Sequence, residues 1–180
     1  EERILSERFQ GSRTWEKESM PGNESIRLRS ITTTNKTNSL VSRVDIDEDL
    51  TINFEYEVFS NDMPIGFSML LTINQNVVLF SMDEHIDFDW QSQPNHRPGV
   101  FINSCKINAN LLNAGIHNIS LWCYSPPLNP NAAPHILVKD VLSFEVEDNG
   151  NKGTARGSFP YDLIDLPATR PKLFWKKLKL

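Results

Sequence analysis

The sequence has almost no cysteine: Cys105 and Cys123 are the two in 180 residues. A small scaffold stapled by several disulfides is excluded. Two small buried thiols in a reducing compartment are the expectation. No apolar run approaches the ~20 residues that a membrane-spanning helix needs. There is no surplus of positive charge. The formal net charge is −5, and a nucleic-acid partner, which needs a basic footprint, is not expected. No G-x-x-x-x-G-K-[ST] stretch occurs, so the chain lacks the loop that cradles nucleotide phosphates. Gly150 to Gly157 is rich in glycine but lacks that Lys-Ser/Thr pair, and reads as a loop. The chain starts Glu1-Glu2-Arg3 with neither an initiator Met nor a signal peptide, so a piece of a longer protein is expected.

What the sequence does have is alternation. Leu50, Ile52, Phe54, Tyr56 and Val58 alternate with Thr51, Asn53, Glu55 and Glu57. After the turn residues Asn61 to Pro64, the beat resumes at Ile65, Phe67, Met69, Leu71 and Ile73. A period of two sends successive side chains to opposite faces of a strand. The two segments read as an antiparallel pair joined by that turn. Met69 to Leu71 is apolar on both faces, which predicts deeper burial for the second strand. A sheet with one apolar face needs a cover, and a second sheet is the usual one.

The same pattern recurs along the chain. Strands are predicted at 26–30, 40–46, 77–82, 101–107, 116–124, 136–138, 141–146 and 170–175. In the first of these, Ile26, Leu28 and Ser30 share a face opposite Arg27 and Arg29. Residues 108–115 read as a short turn with helical character. Asp83 to Pro98 is a long polar loop carrying His85, Phe88, Trp90, Gln91 and His96. Loops of that length are often functional. Pro126 to Pro134 holds four prolines and is excluded from a central strand. The fold class is therefore all-β: an antiparallel β-sandwich, jelly-roll or immunoglobulin-like. Residues 1–24 read as an N-terminal arm or linker, with Trp15 docked on the body, and 25–180 as the sandwich.

Separated motifs then agree with one known family. Arg13-Thr14-Trp15, Met20-Pro21-Gly22-Asn23-Glu24 and Ile26-Arg27-Leu28 resemble its opening. Ile107-x-x-Asn110-Leu111-Leu112-Asn113-x-Gly115 resembles its central turn. Ala155-Arg156-Gly157 and Pro171-x-Leu173-x-Trp175 resemble its ending. The family is the C-terminal carbohydrate-binding domain of the ATP-binding subunit of polysaccharide ABC exporters, the Wzt type. The resemblance implies a β-sandwich that recognises a lipid-linked, O-antigen-like bacterial polysaccharide for export, in lipopolysaccharide biosynthesis. It implies a nucleotide-binding domain upstream in the parent protein, a homodimer, and a transmembrane exporter subunit as partner. It implies a cytoplasmic location, peripheral at the inner membrane through the parent transporter.

A sugar offers apolar C–H faces and a rim of hydroxyls, so its site wants aromatic platforms beside short polar side chains. On the strand 116–124, His117, Ile119, Leu121 and Cys123 share one face, and Asn118, Ser120, Trp122 and Tyr124 the other. With the first face in the core, the second is the leading glycan surface. His85 and Trp90, with Phe88 and Gln91, form a second candidate in the long loop. His117 reads as a satisfied core histidine. Glu55 and Glu57 lie at i and i+2, with Cα atoms roughly 6.8 Å apart. Retaining glycosidases need carboxyls about 5–5.5 Å apart, so a jelly-roll hydrolase is the enzymatic alternative. A purely structural dimerisation module is the third reading. Asp45-x-Asp47-x-Asp49 imitates a calcium loop, but Leu50 and Tyr56 stand where Gly and Glu are required. No metal, cofactor or catalytic residue is expected.

Overall fold

The alternating segments are strands in the computed structural model, which describes residues 10–62, 64–82, 96–125 and 132–150. They are β1 (Ser12–Thr14), β2 (Ile26–Thr34), β3 (Arg43–Asp45), β4 (Leu50–Val58) and β5 (Gly66–Ile73). After them come β6 (Asn76–Met82), β7 (Gly99–Ile107), β8 (Gly115–Tyr124) and β9 (Ile136–Glu147). A four-stranded sheet has the order β1-β2-β4-β7, and a five-stranded sheet the order β3-β9-β8-β5-β6. All pairings are antiparallel except β3 with β9, which is parallel. The expected sandwich is the observed architecture.

The pairing of the two most regular segments differs from the expectation. β4 pairs with β2 and β7, whereas β5 pairs with β6 and β8. They lie in opposite sheets and face each other across the core. Leu50, Ile52, Phe54, Tyr56 and Val58 point inward from one side, and Phe67, Met69 and Leu71 from the other. Period-two patterning says which face is apolar; it is silent on which strand lies alongside. Each fully buried Leu, Ile or Phe here contributes ~1.5–3 kcal/mol from removal of apolar surface from water.

Two bulges shift the phase of alternation. In β2 the register with β4 slips between Leu28 and Ser30. Arg29 and Ser30 therefore both leave the core, and Ile31 and Thr33 resume the buried set. Ser30 is not on the inner face with Ile26 and Leu28. In β9 the slip falls opposite Ile119 to Leu121, where Asp140 has φ 46°. The segments 136–138 and 141–146 are thus one strand, bent at a bulge.

Shorter differences have local causes. Within the arm expected over 1–24, Ser12–Thr14 forms the edge strand beside β2. Trp15 packs against the core, as expected, and its amide donates to the Arg29 carbonyl at 3.0 Å. The strand expected at 40–46 is reduced to Arg43–Asp45. Residues 108–114 form turns and bends without a helix: Asn110 has φ 59° and Gly115 φ 135°. Asn74 (φ 47°) and Gln75 (φ 66°) make the two-residue β5–β6 turn, of the mirror-image kind that matches strand twist. Cys105 and Cys123 lie in opposite sheets and form no disulfide, and burial pushes the Cys123 thiol well above its usual range. The proline segment 126–131, the glycine-rich stretch beyond residue 150 and the strand expected at 170–175 lie outside the described residues. Among the described residues, no helix is long and apolar enough to cross a membrane.

Candidate functional site

The faces of β8 fall as the sequence predicts. His117, Ile119, Leu121 and Cys123 are buried in the core. The opposite face carries Asn118, Ser120, Trp122 and Tyr124, flanked by β5 and β9. Trp122 stands between Ser68 of β5 and Leu137 of β9. Leu137 is 48% exposed and Trp122 half-buried, so an apolar platform reaches solvent on the face that also carries the half-buried Asn118, while Ser68 at its side is buried. Tyr124, also half-buried, stands opposite Gly66, which has no side chain to crowd it.

Two members of this face have structural commitments. Ser120 is only 4% exposed, and its Oγ accepts the Asp140 amide at 3.0 Å. It satisfies the β9 bulge and is not an accessible ligand contact. Asn118 is half-buried, and its Oδ1 accepts the Ser143 hydroxyl at 2.7 Å. Its amide nitrogen is the group left to donate outward. His85 and Trp90, with Phe88 and Gln91, lie outside the described residues. At the end of that loop His96 meets the Tyr56 hydroxyl at 3.2 Å and packs edge-on to Phe101, with ring centroids 4.9 Å apart.

The two remaining histidines hold turns. His117 is fully buried, stacked on Phe144 at 5.3 Å, and its Nε2–H donates to the Asn113 carbonyl at 3.0 Å. It is a core histidine as expected but only half satisfied, since its buried Nδ1 has no hydrogen-bond partner among the described residues. Burial lowers its pKa, opposed by that hydrogen bond. His135 joins three loops. Asn23 Oδ1 accepts the amides of Ser25 and Ile26, so its Nδ2 donates to His135 Nδ1 at 2.9 Å. Nε2 must then carry the ring proton and donate to Ser125 Oγ at 2.9 Å, while Ser125 donates to the Pro64 carbonyl at 2.8 Å. The resemblance to a Ser–His–Asn catalytic set fails on proton direction. A base must accept the serine proton at that nitrogen, and here the nitrogen donates.

Glu55 and Glu57 project from the outer face of the other sheet. Arg29 reaches Glu55 at 2.8 Å and Glu57 at 3.6 Å. One guanidinium thus bridges both carboxylates, an arrangement that leaves neither as an unencumbered acid or nucleophile. Beside them lies a cleft of about 570 Å³, walled by Trp15 and Met20. The sequence reading missed this constellation. The spacing Ile26, Leu28, Ile31 marks the bulge, breaking the two-residue beat at Ser30, but not the pairing of β2 with β4 that brings Arg29 to the acids. Asp49, the last acid of the calcium-like run, binds Lys106 at 2.6 Å and accepts the Ala109 amide at 2.9 Å. The Lys106 contact is the main reason its pKa is lowered. Among the described residues, no group of three or more His, Cys, Asp or Glu side chains is arranged to hold a metal ion.

The class is set by these features: an open β-sandwich with one mixed five-stranded sheet and one antiparallel four-stranded sheet. The particular fold is that of the C-terminal domain of wzt, a solved structure that aligns with a TM-score of 0.59. The alignment covers 77% of this chain and 82% of that one at 10% identity. A β-glucosidase from Listeria innocua in complex with glucose also aligns, over 64% of this chain and 16% of its own, at 10% identity. Its TM-score of 0.37 is too low to carry an argument. No protein-family profile and no curated protein sequence matches the chain.

Proposed function

We propose that this chain is a non-catalytic carbohydrate-recognition domain for an exported bacterial polysaccharide, O-antigen-like and lipid-linked. The observation that carries the reading is the Trp122–Leu137 platform, open to solvent on the same strand face as Asn118, on a fold shared with the wzt domain. Trp122 and Tyr124 supply apolar faces for sugar rings, and the Asn118 amide donates to a ring hydroxyl. Recognition is by shape and hydrogen bonding, with no bond made or broken. In this reading the parent protein is the ATPase subunit of an ABC exporter. It is cytoplasmic and dimeric, and held at the inner membrane by a transmembrane partner.

The hydrolase alternative loses support from the Arg29 bridge between Glu55 and Glu57. The test is calorimetric titration of the folded domain with polysaccharide from the source organism, in parallel with Trp122→Ala. Saturable binding that the substitution removes supports the reading. Absence of binding, or release of reducing ends during incubation, overturns it.

A further inference from the structure

The cleft on the four-stranded sheet lies on the opposite side of the molecule from the β8 face. Its floor is Arg29, Ser30, Glu55 and Glu57, and one wall is Trp15 and Met20. At about 570 Å³ it falls within the roughly 300–1,000 Å³ typical of small-molecule sites. Two features make it a built surface. The β2 bulge turns Arg29 and Ser30, neighbours in sequence, outward together. The indole of Trp15 is fixed from outside the cleft by the Arg13 guanidinium, 5.0 Å from its ring centroid, and Arg13 is itself tied to the Val141 carbonyl at 3.3 Å. A ring already immobilised loses little further freedom when a ligand stacks or leans on it.

The polar groups select the ligand class. Arg29 engages one oxygen each of Glu55 and Glu57. The second oxygen of each carboxylate has no hydrogen-bond partner among the described residues, and both side chains are partly exposed, 31% and 27%. Paired carboxylate oxygens accept from neighbouring hydroxyls, and Ser30 either donates or accepts. The positive charge of Arg29 is spent on the two acids, and exposed Glu16 and Lys17 add one charge of each sign. An anionic ligand gains nothing here. We infer that this cleft is a second saccharide site, taking a neutral sugar ring against Trp15 with its vicinal hydroxyls on Glu55, Glu57 and Ser30. A domain with ligand sites on both sheets would hold a polymer at two points, and linked contacts raise avidity without new chemistry.

The test is heteronuclear NMR titration of the intact domain with the methyl glycosides of glucose, galactose and mannose, and with methyl glucuronide as the anionic comparison. Expected are saturable shifts at the Trp15 indole N–H and the amides of Arg29, Ser30 and Glu57 for at least one neutral glycoside. Trp15→Ala risks the fold, since Trp15 packs on the core; Glu57→Gln, on the solvent side, is the decisive variant. It should weaken those shifts' apparent affinity by about tenfold while leaving the melting temperature close to the parent's. Shifts confined to Trp122 and Tyr124 overturn this inference and leave the β8 reading intact. Shifts confined to the Trp15 cleft support it and count against β8. A preference for the glucuronide, or insensitivity to Glu57→Gln, overturns it.

Discussion

Tyr56 and Phe67 meet ring to ring across the two sheets, with centroids 4.7 Å apart and planes inclined at 52°. Phe67 also meets Phe54 at 4.9 Å. One β5 side chain thus interlocks with two from β4, and this contact joins the sheets at the middle of the sandwich. Phe67→Ala is expected to cost about 3–5 kcal/mol, since it removes a ring and leaves a cavity between layers that cannot close. A double-mutant cycle of Tyr56→Leu with Phe67→Leu should give a coupling of about 0.5–1.5 kcal/mol. Urea denaturation measures both. Strict additivity would mean that the rings do not couple the sheets.

Trp122 and Ser120 share a strand face, and in the proposed reading only Trp122 meets the ligand. Trp122→Ala should weaken polysaccharide binding by about 2 kcal/mol or more, as loss of an aromatic anchor does. Ser120→Ala should leave binding unchanged and cost about 1 kcal/mol of stability, because it strands the partly buried Asp140 amide. Calorimetric titration and denaturant melts on the same two variants separate recognition from support.

Stability should fall as the medium becomes mildly acidic. Burial lowers the pKa values of His117 and His135 below the ordinary 6.5. The unfolded chain therefore binds more protons than the folded one once the pH drops below about 6.5. The contribution of each neutral histidine is complete above that pH and is lost as the pH falls through the folded value. The slope is at most ~1.4 kcal/mol per pH unit for each histidine. For His135 the cause is structural as well: a proton on Nδ1 would face the Asn23 amide donor. Denaturation midpoints at pH about 7.5 and about 5 should show the loss, and His135→Gln should reduce it. A flat profile would remove the tautomer assignment.

Gly22 and Gly99 should respond oppositely to alanine. At Gly22 φ is 141°, and an added Cβ would lie 2.2 Å from the Ile26 carbonyl oxygen. Backbone would have to move, at a cost of about 1–3 kcal/mol. The Asn23 contacts to Ser25, Ile26 and His135 would loosen with it. At Gly99 the nearest atom to such a Cβ is 3.6 Å away, on the Phe101 ring, so Gly99→Ala should be tolerated. Thermal melts of the two variants decide the comparison.

Several of these features were legible before any coordinates. The inner and outer faces of β4 and β8 follow from alternation alone, because a strand offers only two directions for a side chain. The docking of Trp15 was legible too, since an indole has too much apolar surface to leave in water. The motif asparagines were visible as letters, and the structure supplies their work: Asn23 caps a turn through its side chain, and the Asn113 carbonyl receives His117.

The amino-acid order by itself determined that this chain is a β-sandwich, and it determined which side of each long strand is greasy. Those properties depend on residues one or two positions apart. Tertiary structure alone decided that β4 and β5 face each other, that Arg29 bridges Glu55 and Glu57, and that Trp15 closes a cleft with them. Each of these depends on which strands lie side by side and on where a bulge shifts the register. Those choices balance packing over the whole core, and no local period encodes them.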